Sequence, residues 1–263
     1  MPRTSEPGRS VSSRLLEILF AFRPEQSDLS LTELVHQTGI PHATVRRLVL
    51  ELVGAGALER RSDGRFTIGL RLWQLGTLAP LTESLRTLAQ PFMEDLFTAL
   101  RQHVQLAVLE GEQAVVIERL SAPNAVGLVS QVGGRLPLHC SGVGKVLLSH
   151  GGADLIESVL GGRLRQHTPG TVVDPDLLRR QIATTRRTGT ATVRGELTAD
   201  ADSVATRILD GDGRVVAALS VVVRSGSVTH RAVLPSVVAS GLGISRQLGW
   251  RPGTRLREGD RGP

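Results

Sequence analysis

Residues Ser30–Gly54 read SLTELVHQTGIPHATVRRLVLELVG, and this stretch decides the fold of the N-terminal part of the chain. Ser30 and Glu33 stand at the spacing of a capping box, in which the hydroxyl accepts from the Glu33 amide and the carboxylate reaches back to the Ser30 amide. A short helix follows, with Leu31, Leu34 and Val35 on one face. Thr38 and Gly39 end it, the glycine supplying the left-handed conformation past the last turn. Pro41 suits the start of the next helix. There Val45, Leu48, Val49, Leu52 and Val53 recur at helical spacing as one buried stripe, until Gly54 and Gly56 stop it.

Outward from this core, Leu15, Ile18, Leu19 and Phe22 mark an earlier helix from about Ser12 to Phe22, stopped by Arg23-Pro24. Downstream, Leu58–Arg60 and Arg65–Ile68 read as strands around Ser62, Asp63 and Gly64, and Asp-Gly is a strong hairpin signal. Three helices and a hairpin make a winged helix-turn-helix over residues 10–69. With the stripe turned inward, the third helix presents His42, Ala43, Thr44, Arg46 and Arg47 on its opposite face. They occupy the N-terminal half, the part that meets base edges in the major groove. Arginine forks onto guanine, and Thr44 suits a phosphate or a thymine methyl. Arg61 and Arg65 flank the wing tip, where phosphate or minor groove is expected. Thr32, at the start of the second helix, completes the predicted DNA-contacting set.

Residues 70–82 read as a linker, with a short amphipathic helix carrying Leu72, Trp73 and Gly76 near one face. Leu85, Leu88, Phe92, Leu96 and Leu100 then hold the helical period, with Pro91 as a kink or restart. After that the period shifts towards two. Strands are expected at Val104–Leu109, Ala114–Glu118, Val126–Val132, Thr190–Leu197, Val204–Leu209 and Val215–Val223. A Gly-rich loop, Gly133–Gly144, leads into a helix Lys145–His150. Asp174-Pro175 opens another helix to about Arg187, and a last one spans about Arg231–Leu248. The fold class is α+β, with a sheet of roughly six antiparallel strands flanked by helices over residues 83–250. Residues 1–9 and the Gly/Pro/Arg-rich 251–263 read as disordered.

The residues Leu31–Leu34 (LTEL), Thr38–Leu48 (TGIPHATVRRL), Asp63–Phe66 (DGRF), Gly69 and Leu75-Gly76 resemble the winged helix of IclR-type transcriptional regulators. Gly134–Leu148 (GRLPLHCSGVGKVLL) is similar to the same family's effector-binding domain. Thr168–Val172, Arg186–Gly189, Glu196 and Ala217–Val221 follow in family order, so the resemblance spans about residues 10–250. It implies dimers, often paired into tetramers, on palindromic operators. It also implies a GAF-like domain that binds a small effector, commonly an organic acid or aromatic catabolite, and repression as the more frequent outcome. Positions matching those that line the family's cavity are Leu136, Cys140, Ser141, Gly142, Glu196, Ser203 and Ser220. The family pattern Glu-x-x-x-Gly-x-x-Cys-Val-Ala-x-Pro is altered here: Asp200 stands for the glycine, Ser203 for the cysteine and Arg207 for the proline.

Glycines in the loop allow close backbone approach, and amides opening the Lys145 helix can hold a carboxylate. Lys145, inside that helix, is expected to pair with a carboxylate or to pack its stem rather than touch ligand. His139 beside Cys140 invites a thiol-enzyme reading. In an extended segment, however, neighbouring side chains point to opposite faces, so Cys140 reads as a buried small hydrophobe. The seven histidines show no tight metal-ligand spacing in the sequence, and neither metal nor cofactor is expected. No Ser-His-Asp signature, P-loop or dinucleotide fingerprint occurs. The expected function is therefore a non-enzymatic, ligand-responsive DNA-binding regulator. The rivals are a thiol-dependent enzyme domain on Cys140 and a DNA-binding module without a sensor.

Composition narrows the classes further. The chain has 263 residues, with 31 basic against 25 acidic, and Lys145 is its one lysine. The basic excess is spread along the chain, so bulk charge does not mark a nucleic-acid surface; the local arginines do. A single cysteine makes no intramolecular disulfide, which points to the cytosol. No apolar run is long enough to span a membrane, and none of signal-peptide character follows Met1–Arg9. With no tyrosine, a ligand must be gripped by amides, serines and aliphatic walls.

Overall fold

The computed structural model describes residues 10–253 except 77, 79, 124, 125, 128, 129, 228 and 229, with backbone alone at 80–83. Of the segments expected to be disordered, 1–9 and 254–263 lie outside the described residues, while 251–253 of the 251–263 tail are described and exposed. Contacts divide the chain into two compact units, Met1–Glu83 and Ser84–Pro263.

The first unit runs α1 (Val11–Ala21), β1 (Asp28–Leu29), α2 (Leu31–Thr38), α3 (His42–Gly54), β2 (Leu58–Arg60), β3 (Phe66–Ile68) and α4 (Leu70–Gly76). The capping box forms: Glu33 N donates to Ser30 Oγ at 3.2 Å, and Ser30 N donates to Glu33 Oε2 at 2.7 Å. Gly39 closes α2 at φ 65°. Val45, Leu48, Val49 and Leu52 bury the inner face of α3 against Ile18, Leu29 and Leu34. The wing is a three-stranded sheet in the order β1-β3-β2, not a bare hairpin. The two-residue β1 carries no periodic signal, and it exists because Asp28 and Leu29 pair with Thr67 and Phe66. No residue of α4 is buried.

The second unit begins within α5 (Pro80–Leu100), whose first four residues, 80–83, fall in the first unit, and continues β4 (His103–Glu110), β5 (Gln113–Leu120), β6 (Arg135–Pro137), α6 (Gly142–His150), α7 (Ala153–Gly161), α8 (Pro175–Thr188), β7 (Thr190–Arg194), β8 (Ala201–Leu209), β9 (Val215–Arg224) and α9 (His230–Gln247). Six strands form one antiparallel sheet in the order β6-β5-β4-β9-β8-β7. Strand alternation sorts the side chains between two cores. Val104, Leu106, Leu219 and Val221 face Leu85, Met93, Val237 and Ile244 of α5 and α9. Ala107, Ala205 and Ala218 face Val146, Leu147, Leu178 and Ile182 of α6 and α8. Small residues on this second face let α6 approach the sheet closely.

Three expectations fail here. Among the described residues of Val126–Val132 none is a strand, and the sixth strand is Arg135–Pro137. Two carbonyls of that apolar run are taken by side chains instead: Val126 O by His103 Nε2 at 2.6 Å, and Ser130 O by Arg119 Nη1. The helix expected from Lys145 begins at Gly142, because Ser141 caps it by accepting from Gly144 N at 3.1 Å. The segment Leu138–Cys140 is a turn, not extended, so the argument that His139 and Cys140 point apart does not hold. The helix α7 carried no expectation at all.

Candidate DNA-reading face and effector pocket

On α3, His42, Ala43, Arg46 and Arg47 are exposed and Thr44 is half-buried. Their exposure follows from the stripe, which turns the opposite side of the helix into the core. Arg47 Nη1 lies 2.6 Å from Glu51 Oε1, one turn away. Thr32 is exposed at the start of α2.

The wing arginines divide in role. Arg61 is exposed, with Nη1 3.7 Å from Asp28 Oδ2. Arg65 is engaged inside the unit: Nη2 donates to Glu33 Oε2 at 2.8 Å and to the Asp28 carbonyl at 3.0 Å, and Nε lies 3.3 Å from Asp28 Oδ1. It straps β3 to β1 and to the start of α2. Two hydrogen bonds from Ser30, reinforced by Arg65, hold the Glu33 carboxyl down at about 2. Glu33 therefore caps α2 and anchors the wing at once. The sequence showed the cap but gave no sign of the strap, which closes across more than thirty residues.

In the second unit, a cavity of about 50 Å³ sits between the start of α6 and the sheet. A water needs roughly 10–15 Å³ by this measure, so the space suits a few heavy atoms. Six of the seven expected effector residues line it: Leu136, Cys140, Ser141, Gly142, Ser203 and Ser220. Register explains the convergence, since Gln105 pairs with Ser220 across β4 and β9, and Ser220 pairs with Ala205 across β9 and β8. Gln105 and Ser130, also in the lining, were not anticipated; Gln105 lies on a strand otherwise dominated by apolar residues. Among the described residues, none that lines the cavity is charged.

Two features give the cavity its chemistry. The Gly142 and Val143 amides open α6 and have no intrahelical acceptor, so they favour an anion. The Ser203 and Ser220 side chains are buried and hydrogen-bond to no partner among the described residues. Two glycines serve different ends. A Cβ at Gly144 would come 2.6 Å from the Pro137 carbonyl, so that residue is needed by the loop; a Cβ at Gly142 would come 2.5 Å from Ser203 Oγ, inside the pocket.

Glu196 is the seventh expected residue, and it does not line the cavity. Its Oε1 lies 2.6 Å from Lys145 Nζ, which also donates to Gln181 Oε1 at 2.7 Å. The carboxylate that Lys145 was expected to find is thus Glu196, behind the pocket wall. Burial pulls the Lys145 ammonium down, and Glu196 opposes that.

Burial and the nearby Glu196 charge push the Cys140 thiol up to about 12. A thiol whose pKa is raised in this way is a poor nucleophile at neutral pH. The turn at Leu138–Cys140 does bring a His139 nitrogen, the Cys140 sulfur and a His167 nitrogen within 4.8 Å of one another. No helix of the described residues is long and apolar enough to cross a membrane.

Comparison with known proteins agrees with this architecture. Residues 12–62 match the IclR helix-turn-helix domain, and residues 81–248 match the bacterial transcriptional regulator IclR C-terminal domain. The Pca regulon regulatory protein of Pseudomonas putida is 30% identical, the match covering 93% of this chain and 86% of that protein. The transcriptional repressor AllR of Escherichia coli is also 30% identical, over 84% of this chain and 83% of its own. An IclR homologue from Microbacterium hydrocarbonoxydans, solved in complex with 4-hydroxybenzoate, superposes with a TM-score of 0.86 at 35% identity. That match covers 91% of this chain and 99% of the other.

Proposed function

The chain belongs to the IclR family of DNA-binding transcriptional regulators, and from that premise we propose that a small monocarboxylate, bound in the cavity at the start of α6, controls its grip on DNA. The observation that carries this reading is the pair of Ser203 and Ser220 side chains, whose hydroxyls make no hydrogen bond among the described residues and which line the same cavity as Gly142 and Val143 at the start of α6. A hydroxyl that faces a cavity without a protein partner is available to a ligand oxygen. The uncharged lining suits one negative charge and disfavours two or a cation. The 4-hydroxybenzoate held by the Microbacterium homologue supports this class of ligand. A ring of that size has to press the cavity wall outward, whereas a short aliphatic acid does not.

On DNA, Arg46 and Thr44 read bases from the N-terminal half of α3. His42, Ala43, Arg47 and Thr32 line the same surface, and Arg61 meets the backbone beside the wing. Arg65 holds the wing in position for them. One α3 reads only a few base pairs, so two copies on a palindromic operator supply the needed specificity. Phe20 on α1 and Leu70, Trp73 and Leu75 on α4 are exposed apolar side chains that a second copy can cover, and pairing of dimers into tetramers follows the family pattern. Repression in the cytoplasm, with release by effector and without catalysis, completes the reading.

The test is a calorimetric titration of the full chain with short aliphatic monocarboxylates, 4-hydroxybenzoate, a dicarboxylate and a neutral amide. Saturable binding of a monocarboxylate that is lost on Gly142→Ala supports the proposal. Binding of the dicarboxylate alone, or monocarboxylate binding untouched by Gly142→Ala, contradicts it.

A further inference from the structure

We propose that His139, Cys140 and His167 form a binding site for one borderline-soft cation of the Zn²⁺ type, set in the wall between the effector cavity and an outer, solvent-facing cleft. One donor atom from each residue lies within 4.8 Å of the other two. Zinc bonds of about 2.0–2.3 Å place tetrahedral donors roughly 3.3–3.8 Å apart, so the three close by about an ångström to grasp an ion.

Two of the three residues are buried and one is exposed. Cys140 and His139 lie on the turn directly before the Ser141 cap of α6, and both are buried. His167 is exposed. Its backbone amide donates to Thr171 Oγ1 at 3.0 Å, in a loop fastened to the chain beyond β7 because the Thr171 hydroxyl also donates to the Glu196 carbonyl. An exposed imidazole on an anchored loop thus swings onto a fixed pair.

The His139 ring is held by a backbone carbonyl. Its Nε2 lies 3.0 Å from the Arg165 carbonyl. Donation of that N–H leaves the Nδ1 lone pair free, and a carbonyl partner on the far nitrogen is the usual support of a ligating imidazole. One sulfur and two nitrogens suit zinc or its borderline neighbours and exclude magnesium and calcium, which take oxygen. The cleft of about 310 Å³ lined by His139 and His167 supplies the path of entry and leaves a coordination position open. Arg163 and Arg165 line the same cleft and favour an anion or hydroxide in that position. On binding, a zinc–sulfur bond replaces a zinc–water bond and the thiol proton passes to solvent. Cys140 also lines the effector cavity, so the ion touches the wall that the effector meets.

The experiment uses the full chain, freed of metal with a chelator and titrated with Co²⁺ and then Zn²⁺. A thiolate-to-cobalt charge-transfer band that saturates at one equivalent and is displaced by Zn²⁺ is the expected result. Cys140→Ser removes the band. His167→Gln, at an exposed position that costs little in folding, weakens Zn²⁺ binding by at least about tenfold. His36→Gln, on an exposed face of α2, leaves it unchanged. Absence of the band in the folded wild-type chain, or Zn²⁺ affinity unaltered by His167→Gln, overturns the proposal.

Discussion

Lys145 Nζ lies 2.6 Å from Glu196 Oε1, with the two side chains 2% and 7% exposed. The pair fastens α6 to the segment after β7, immediately behind the effector cavity. It also explains why the cavity lining carries no charge: the one acid among the expected pocket residues is neutralised on the other side of the wall. Removing one partner strands the other charge in the interior. Lys145→Met and Glu196→Leu are each expected to cost about 3–5 kcal/mol in urea unfolding, while the double variant costs less than the two single losses combined. Additive losses would show that the pair is not coupled.

The serines of the pocket separate binding from folding. Ser203→Ala and Ser220→Ala remove hydroxyls that serve no protein partner. Each is expected to weaken effector binding by about 0.5–1.5 kcal/mol and to leave the unfolding midpoint unchanged or higher. Ser141→Ala removes the cap on α6 and is expected to lower stability by about 0.5–2 kcal/mol. Calorimetry and denaturation on the same three variants distinguish the roles.

The capping box sets a pH dependence. Glu33 has its pKa depressed to about 2 in the folded chain, so its stabilising effect is complete above the ordinary carboxylate range and is lost as pH falls through that range towards 2. The wild-type N-terminal unit should lose helical signal over this window. Glu33→Gln should start less stable at pH 7 and lose less on acidification. An identical acid profile for both would remove Glu33 from the account.

Arg46 and Arg65 predict different DNA phenotypes. Arg46→Ala is expected to cost roughly 1–3 kcal/mol on the operator and little on random DNA, as the loss of a base-reading fork requires. Arg65→Ala breaks contacts to Asp28 and Glu33, so it should lower the melting temperature of the free protein before any DNA is present. Binding to operator and random fragments, together with a melt, tests both.

What the sequence revealed follows from how local each feature is. The Ser30–Glu33 box, the Gly39 stop and the Val45–Leu52 stripe obey rules that act within a few residues, and each appears as read. The partner of Lys145 was legible as a type of group, because a charge inside a helix needs an opposite one, but not as Glu196. Features made by distant pairing left no trace. Asp28 and Leu29 are a strand only because β3 lies beside them. Val126–Val132 looked like a strand because it is apolar, yet the Val126 and Ser130 carbonyls belong to His103 and Arg119. The alternation rule placed His139 and Cys140 apart because it assumed an extended chain, and the turn there reverses it. His167, remote in sequence, could be brought to them only by the fold.

The central claim, that an acid bound at α6 governs DNA binding, rests on two sites sharing one equilibrium. The most direct measurement is the affinity of the effector for the free protein and for the protein saturated with the operator mapped upstream of its own gene. The two affinities are expected to differ, operator affinity with and without effector to differ by the same factor, and Gly142→Ala to abolish the difference while still binding DNA. Equal effector affinity in the free and DNA-bound protein would contradict it.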